Sequence, residues 1–240
     1  MIPLLVIRPE PANAATVAAA RALGLETEGH PLFAIAPRDW AMPDGPFDAI
    51  LAGSANAFRH GGAKLDQLRQ LPVLAVGSST AEAASDAGFT VAAVGEGGLQ
   101  GLVDTLAPER RRLLRLCGED RVPLDLPDGI RVTEAVVYAS EPLPMPPALR
   151  QRLTAPAVVA LHSAEAARHF TAECDAHAIA RAAISVAAIG PRVTATAGEG
   201  WAVCRSSAQP SDAALLALAQ ALCQTGAPSS NQGPTANDAR

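Results

Sequence analysis

The sequence predicts an α/β protein of two similar domains with parallel sheets and flanking helices, and three observations support this. Short apolar runs alternate with Ala-rich helical stretches along most of the chain, the order that parallel strands with crossover helices need. One such unit occurs twice. In 73–88 an apolar run ends at Gly77, Ser78, Ser79 and Thr80 follow, and an Ala-rich stretch closes at Gly88. In 186–198 the same order returns, with Gly190, Pro191 and Thr194 at the turn. A second matching unit precedes each copy: 49–58 resembles 158–167, with Ser54 and Ser163 in equivalent places.

Taken in order, 4–7 reads as the first strand, 14–23 as a helix stopped by Gly24, and 30–35 as the second strand. A polar, Pro-bearing connection at 37–46 then leads to strands at 47–51, 73–76 and 91–94, with helices starting at Ala55, Ser79 and Leu99. Ser79 and Glu82 have the spacing of a capping box. A strand at 113–116, a short helix near 122–126 and a strand at 130–138 lead to a second Pro-rich crossing at 140–147. Strands at 157–161, 184–189 and 201–204 follow, with helices reaching Glu173 and Ala197, and a last helix runs from Pro210 to about Gln224. The expected layout is a discontinuous domain 1 (1–35 with 141–224), domain 2 (40–133), linkers at 36–39 and 134–140, and an interdomain cleft. Residues 225–240, rich in Gly, Pro, Ser and Asn, read as a disordered tail.

With 49% hydrophobic but only 3% aromatic residues, packing must rely on Ala, Leu and Val. A formal charge of −5 argues against nucleic acid or an anionic membrane as the main partner. It leaves room for a local anion site, because helix N-termini offer N–H groups and a partial positive charge without a formal one. Four cysteines stand without zinc or C-x-x-C spacing, as reduced thiols in a cytoplasmic protein would. The N-terminal apolar run is broken by Pro3 and ends at Arg8, too short for a signal peptide or a membrane span.

No known catalytic motif stands out. The 95–101 stretch has Gln100 where a dinucleotide fingerprint needs glycine, so a loop with positive φ is the better reading. The histidines lack metal-ligand spacing, and no cofactor is implied. Arg8 and Arg121 sit just past strand ends that should face the cleft. Tyr138, the only tyrosine, ends a strand at a domain crossing. Its phenol is placed either to donate a proton or to anchor the ring by packing.

The ordered set Arg8-Pro9-Glu10, Gly53–Ala57, Val76–Ala81, Cys117–Arg121, Val136–Tyr138 and Ile189–Pro191 resembles the uroporphyrinogen-III synthase family over 4–224. The resemblance implies two α/β domains joined by a two-stranded linker, and a lyase that needs no cofactor. Its substrate would be hydroxymethylbilane, cyclised with loss of water and inversion of ring D. The partners implied are that small molecule and hydroxymethylbilane synthase as its supplier, with a monomeric enzyme, no nucleic acid and no membrane. Carried over by position, Tyr138 would assist departure of the hydroxyl. Arg8, Ser54, Ser78, Ser79, Thr80, Arg121, Ser163, Gly190, Pro191 and Thr194 would bind substrate. Two positions depart from the family pattern: Gly53 stands where Thr is frequent, and Val193 where a hydroxyl is expected. A family-like tetrapyrrole-binding or regulatory protein without turnover is the alternative.

Overall fold

The computed structural model describes residues 2–95, 98–106 and 111–225, and the chain divides into two compact units. The first comprises residues up to Phe33 and those from Pro142 onward; the second is Ala34–Glu141.

The first unit is built on a five-stranded sheet, β1 (Leu4–Val6), β2 (Thr27–Gly29), β9 (Ala157–Leu161), β10 (Ile184–Ala188) and β11 (Val203–Ser206), in the order β11-β10-β9-β1-β2. All its pairings are parallel. The central strands are buried on both faces, hence their almost entirely apolar sequence, broken only by Ser185 in β10. Alternate side chains serve opposite cores. Leu5, Val159, Leu161 and Val186 pack under α5 (Pro147–Arg152), α6 (Ala164–Ala176) and α7 (Pro191–Ala197) with Leu149, Phe170 and Val193. Leu4, Val6, Val158 and Ala160 pack under α1 (Ala12–Ala22) and α8 (Asp212–Thr225) with Val17, Leu215 and Leu222.

The second unit carries a six-stranded sheet in the order β3-β8-β7-β4-β5-β6. Its strands are β3 (Phe33–Pro37), β4 (Ala49–Ala52), β5 (Val73–Val76), β6 (Val91–Gly95), β7 (Arg112–Gly118) and β8 (Arg131–Pro142). Strands β4 to β8 pair in parallel. One face is covered by α2 (Asn56–His60), a 3-10 helix (Ala63–Leu68) and α3 (Ser78–Asp86), around Ile50, Val73, Phe58, Phe89 and Leu116. The other face has a smaller apolar cluster beneath α4 (Leu99–Asp104), where Leu51, Leu74, Leu102 and Leu113 meet.

Several expectations need correction. The strand read at 30–35 begins only at Phe33, as β3 beside β8, and a separate strand, β2 beside β1 in the other sheet, ends before it at Gly29. Pro31, which has no N–H to give to a ladder, lies at the break. The capping box at Ser79 does not form: α3 starts one residue earlier, on Gly77 with φ of +76°, and no side chain caps it. No helix forms at 122–126, where Pro123 and Pro127 remove two donors and restrict the residues before them. The second Pro-rich crossing runs into an unforeseen helix, α5, with Pro147 in the first turn, where its missing N–H costs no bond. The expected tail lies outside the described residues except for Thr225, which ends α8.

Asp48 ties the entrance of β4 to β7. Its carboxylate accepts from the backbone N–H groups of Arg111 and Arg112 at 3.0 and 2.8 Å and from the Arg112 guanidinium at 2.8 Å. The Arg112 side-chain bond, then the backbone bonds, hold its pKa at about 2 instead of 3.8. A depressed carboxylate stabilises the fold above its unfolded value and loses that contribution as pH falls through the folded one. Asp48→Asn should therefore flatten the pH dependence of the urea midpoint between 3.8 and about 2. An unchanged slope in that window would contradict the assignment.

Candidate functional site

In an open parallel sheet, ligands sit beyond the carboxyl ends of the strands, where successive connections depart in opposite directions. The strand order of the second unit reverses between β4 and β7, and a cavity of about 430 Å³ lies there. Its walls include Gly53 and Ser54 after β4, Val76 at the end of β5, Gly98–Gln100 at the start of α4, and Cys117 and Gly118 ending β7. Arg121–Leu124 and Tyr138 of β8 complete it.

Tyr138 is positioned by a glycine. The parallel register sets it opposite Gly118, and its ring lies flat enough that a Cβ on Gly118 would meet Cε2 at 2.7 Å and Cζ at 2.8 Å. The ring is half-buried and packs on the core containing Phe58 and Leu116. Ser54 Oγ accepts from the Asn56 N–H at 3.2 Å, which leaves its own proton to donate. Arg121 donates from Nε to Glu134 at 2.6 Å and from Nη1 to the Glu119 carbonyl at 2.7 Å, and the carboxylate pushes its pKa up. Thus Tyr138, Ser54 and Arg121 share one cavity.

Sequence reading missed Arg115 in this cavity. Its side chain is only 4% exposed, paired with Glu134 at 2.8 Å and bonded to the Val122 carbonyl at 2.9 Å, while Nε has no partner. The available signal was a charge in the otherwise apolar run Leu113–Cys117, since a buried charge is the informative exception in a core strand. Glu134 thus bridges two guanidiniums, and a carboxylate entering the cavity meets cations that are already paired.

The remaining predicted residues sit at other turns. Ser78 and Ser79 are exposed in the first turn of α3, outside the cavity walls, whereas Thr80 is buried and offers no hydroxyl at the surface. In the first unit the strand order reverses between β1 and β9. Ser163 caps α6 there, accepting from the Ala166 N–H at 3.0 Å. Arg8 leaves β1 and pairs with Asp212 at 2.8 Å. Gly190 is extended and Pro191 opens α7, while Thr194 donates to the Pro191 carbonyl at 2.7 Å. Val193 is part of the core, so the hydroxyl expected at its place would be buried beneath α7.

The profile of uroporphyrinogen-III synthase HemD matches residues 14–217. The chain belongs to the uroporphyrinogen-III synthase family. That family is one of lyases that act in tetrapyrrole biosynthesis. Uroporphyrinogen-III synthetase from Helicobacter pylori superposes with a TM-score of 0.62 at 17% identity, over 92% of this chain and 100% of that one. A mutant uroporphyrinogen III synthase from the extremely thermophilic bacterium Thermus thermophilus gives 0.51 at 17% identity, over 93% and 100%. At this identity the two structures establish the shared fold, and the profile match establishes the family. Among curated proteins, no sequence matches significantly. Among the described residues no helix is long and apolar enough to cross a membrane, and no three metal-ligating side chains cluster.

Within this family member, the seat of Tyr138 on Gly118 can be tested directly. Gly118→Ala must displace the ring and should cost about 1–3 kcal/mol in urea unfolding. Wild-type stability would show that the ring does not rest there.

Proposed function

We propose that the protein converts hydroxymethylbilane to uroporphyrinogen III, with loss of water and inversion of ring D, at the carboxyl edges of its sheets. Family membership supports the reaction. The single observation that carries the site is the cavity in the second unit that gathers Tyr138, Ser54 and Arg121. Tyr138 donates its phenolic proton to the departing hydroxyl, which leaves as water, and the pyrrole N–H gives up a proton that restores the phenol, leaving an azafulvene. Ring D then closes at its substituted carbon to a spiro intermediate, which reopens and closes again as the inverted isomer. The unassisted bilane also cyclises, to the other isomer, so the enzyme's task is to hold one folded conformer.

The substrate's eight carboxylates suit hydroxyl-bearing turns and helix N-termini in an acidic chain, because these donors carry no formal charge to be neutralised. Ser54, Ser78, Ser79, Ser163, Gly190, Pro191 and Thr194 hold carboxylates in this reading, with Arg8 and Arg121 as charged contacts. Thr80 contributes through its backbone N–H alone. The enzyme acts as a cytoplasmic monomer and receives its substrate from hydroxymethylbilane synthase.

A coupled assay that supplies hydroxymethylbilane and separates the oxidised porphyrin isomers tests the proposal. Isomer III should predominate over the enzyme-free control, and only isomer I from folded protein would refute it. Tyr138→Phe should slow formation of isomer III well over tenfold, each factor of ten being about 1.4 kcal/mol. A near-wild-type rate would leave Tyr138 as a packing anchor.

A further inference from the structure

Beside the strand reversal of the first unit lies a buried histidine without a hydrogen bond. His162 follows β9 and precedes Ser163, the N-cap of the thirteen-residue helix α6. Its side chain is only 8% exposed, and neither ring nitrogen has a hydrogen-bond partner among the described residues. A neutral imidazole has one donor and one acceptor, and leaving both unmet inside a protein is costly enough to call for an explanation. Burial, then the Arg8 guanidinium, hold its pKa at about 4, while Asp212 and the Ala160 carbonyl pull the other way. The ring is therefore neutral at pH 7.

The partner within reach is Asp212, in the first turn of α8. Its Oδ1 lies 3.6 Å from His162 Nε2, just beyond a hydrogen bond. Its Oδ2 is engaged elsewhere, accepting from Arg8 at 2.8 Å and from Thr16 Oγ1 at 3.2 Å. Arg8 also donates to Thr16 at 3.3 Å. The ion pair is reachable, with side chains 25% and 48% exposed. Pairs this open contribute little and yield to a competing anion.

We infer that Arg8, Asp212 and His162 form a carboxylate-exchange site: a ligand carboxylate takes Arg8 from Asp212, and the released Asp212 closes on the ring of His162. The inference rests on the polycarboxylate substrate proposed above and adds a residue, His162, and a resident competitor, Asp212. The exchange balances with one proton. The incoming carboxylate neutralises Arg8 and Asp212 approaches, so the two charged groups that face His162 both then favour the imidazolium. The ring takes that proton from solvent, and the new ion pair is inside the fold. Asp212 thus sets how strongly Arg8 attracts a ligand, and His162 is a positioning residue that holds Asp212 aside.

The test is calorimetric titration of the full chain with uroporphyrinogen III at pH 7, in two buffers of different protonation enthalpy. Wild type should take up a fraction of a proton on binding. His162→Gln, which keeps a donor and an acceptor but does not titrate, should bind without that uptake. Asp212→Asn should bind about two- to fivefold tighter, the worth of an exposed ion pair, and likewise without uptake. It should lower KM more than it changes kcat. Proton uptake undiminished in His162→Gln, or weaker binding by Asp212→Asn, would overturn the exchange. If His162→Gln does not fold, the Asp212→Asn arm decides alone. Wild-type protein that makes no isomer III would sink the functional reading but not this one. The same titration with benzenehexacarboxylate then decides, uptake supporting the exchange and its absence overturning it.

Discussion

Parallel pairing makes each strand hand over to its helix at the same edge, so helix N-termini gather there with their unbonded N–H groups. Both sheets of this protein obey that constraint: β4 leads to α2, β5 to α3, β9 to α6 and β10 to α7. The strand order reverses between β4 and β7 and between β1 and β9, and a cavity opens beyond the first of these reversals. Ser54 and Ser163 occupy the second positions past β4 and β9, each bound to a helix N–H and each with a proton left to donate. The apolar strands beneath them, buried on both faces, keep that edge in register.

Three of the cations near these edges are not free charges. Arg115 and Arg121 share Glu134, and Arg8 holds Asp212. A chain of formal charge −5 would otherwise repel a polyanion, and isolated arginines at the edge would bind any anion. Paired guanidiniums make attraction depend on exchange, so a ligand has to offer carboxylates in the right places. Oriented backbone dipoles supply the remaining attraction without a counter-ion of their own. In the proposed reading such a site selects one conformer of a flexible substrate by geometry, the property that the choice between two ring closures requires.

Much of the fold was legible because its signals are local. β5 and β9 occupy 73–76 and 157–161 as read, since a short apolar run between turn residues has few other uses in a parallel sheet. Tyr138, Ser54 and Arg121, which line one cavity, were legible as candidates because each follows or ends a strand. The errors arose where distant partners decide. The split of β2 from β3 depends on two different sheets, and the course of 119–130 depends on Gln100, whose amide binds Asp125. Arg8 and Asp212 lie 204 positions apart, so no spacing rule could pair them, and without that pair His162 carries no message. The burial of the Thr80 side chain was hidden for a simpler reason. One turn into α3 a side chain faces the sheet, and only its backbone remains near the edge.

The account rests on carboxylates being held by backbone N–H groups at these edges, and amide chemical shifts report on those groups one by one. In a titration of ¹⁵N-labelled protein with uroporphyrinogen III, the largest perturbations should fall on 54–56, 78–80, 98–100 and 163–166. Saturable binding whose perturbations avoid all four turns and gather elsewhere on either unit would contradict it.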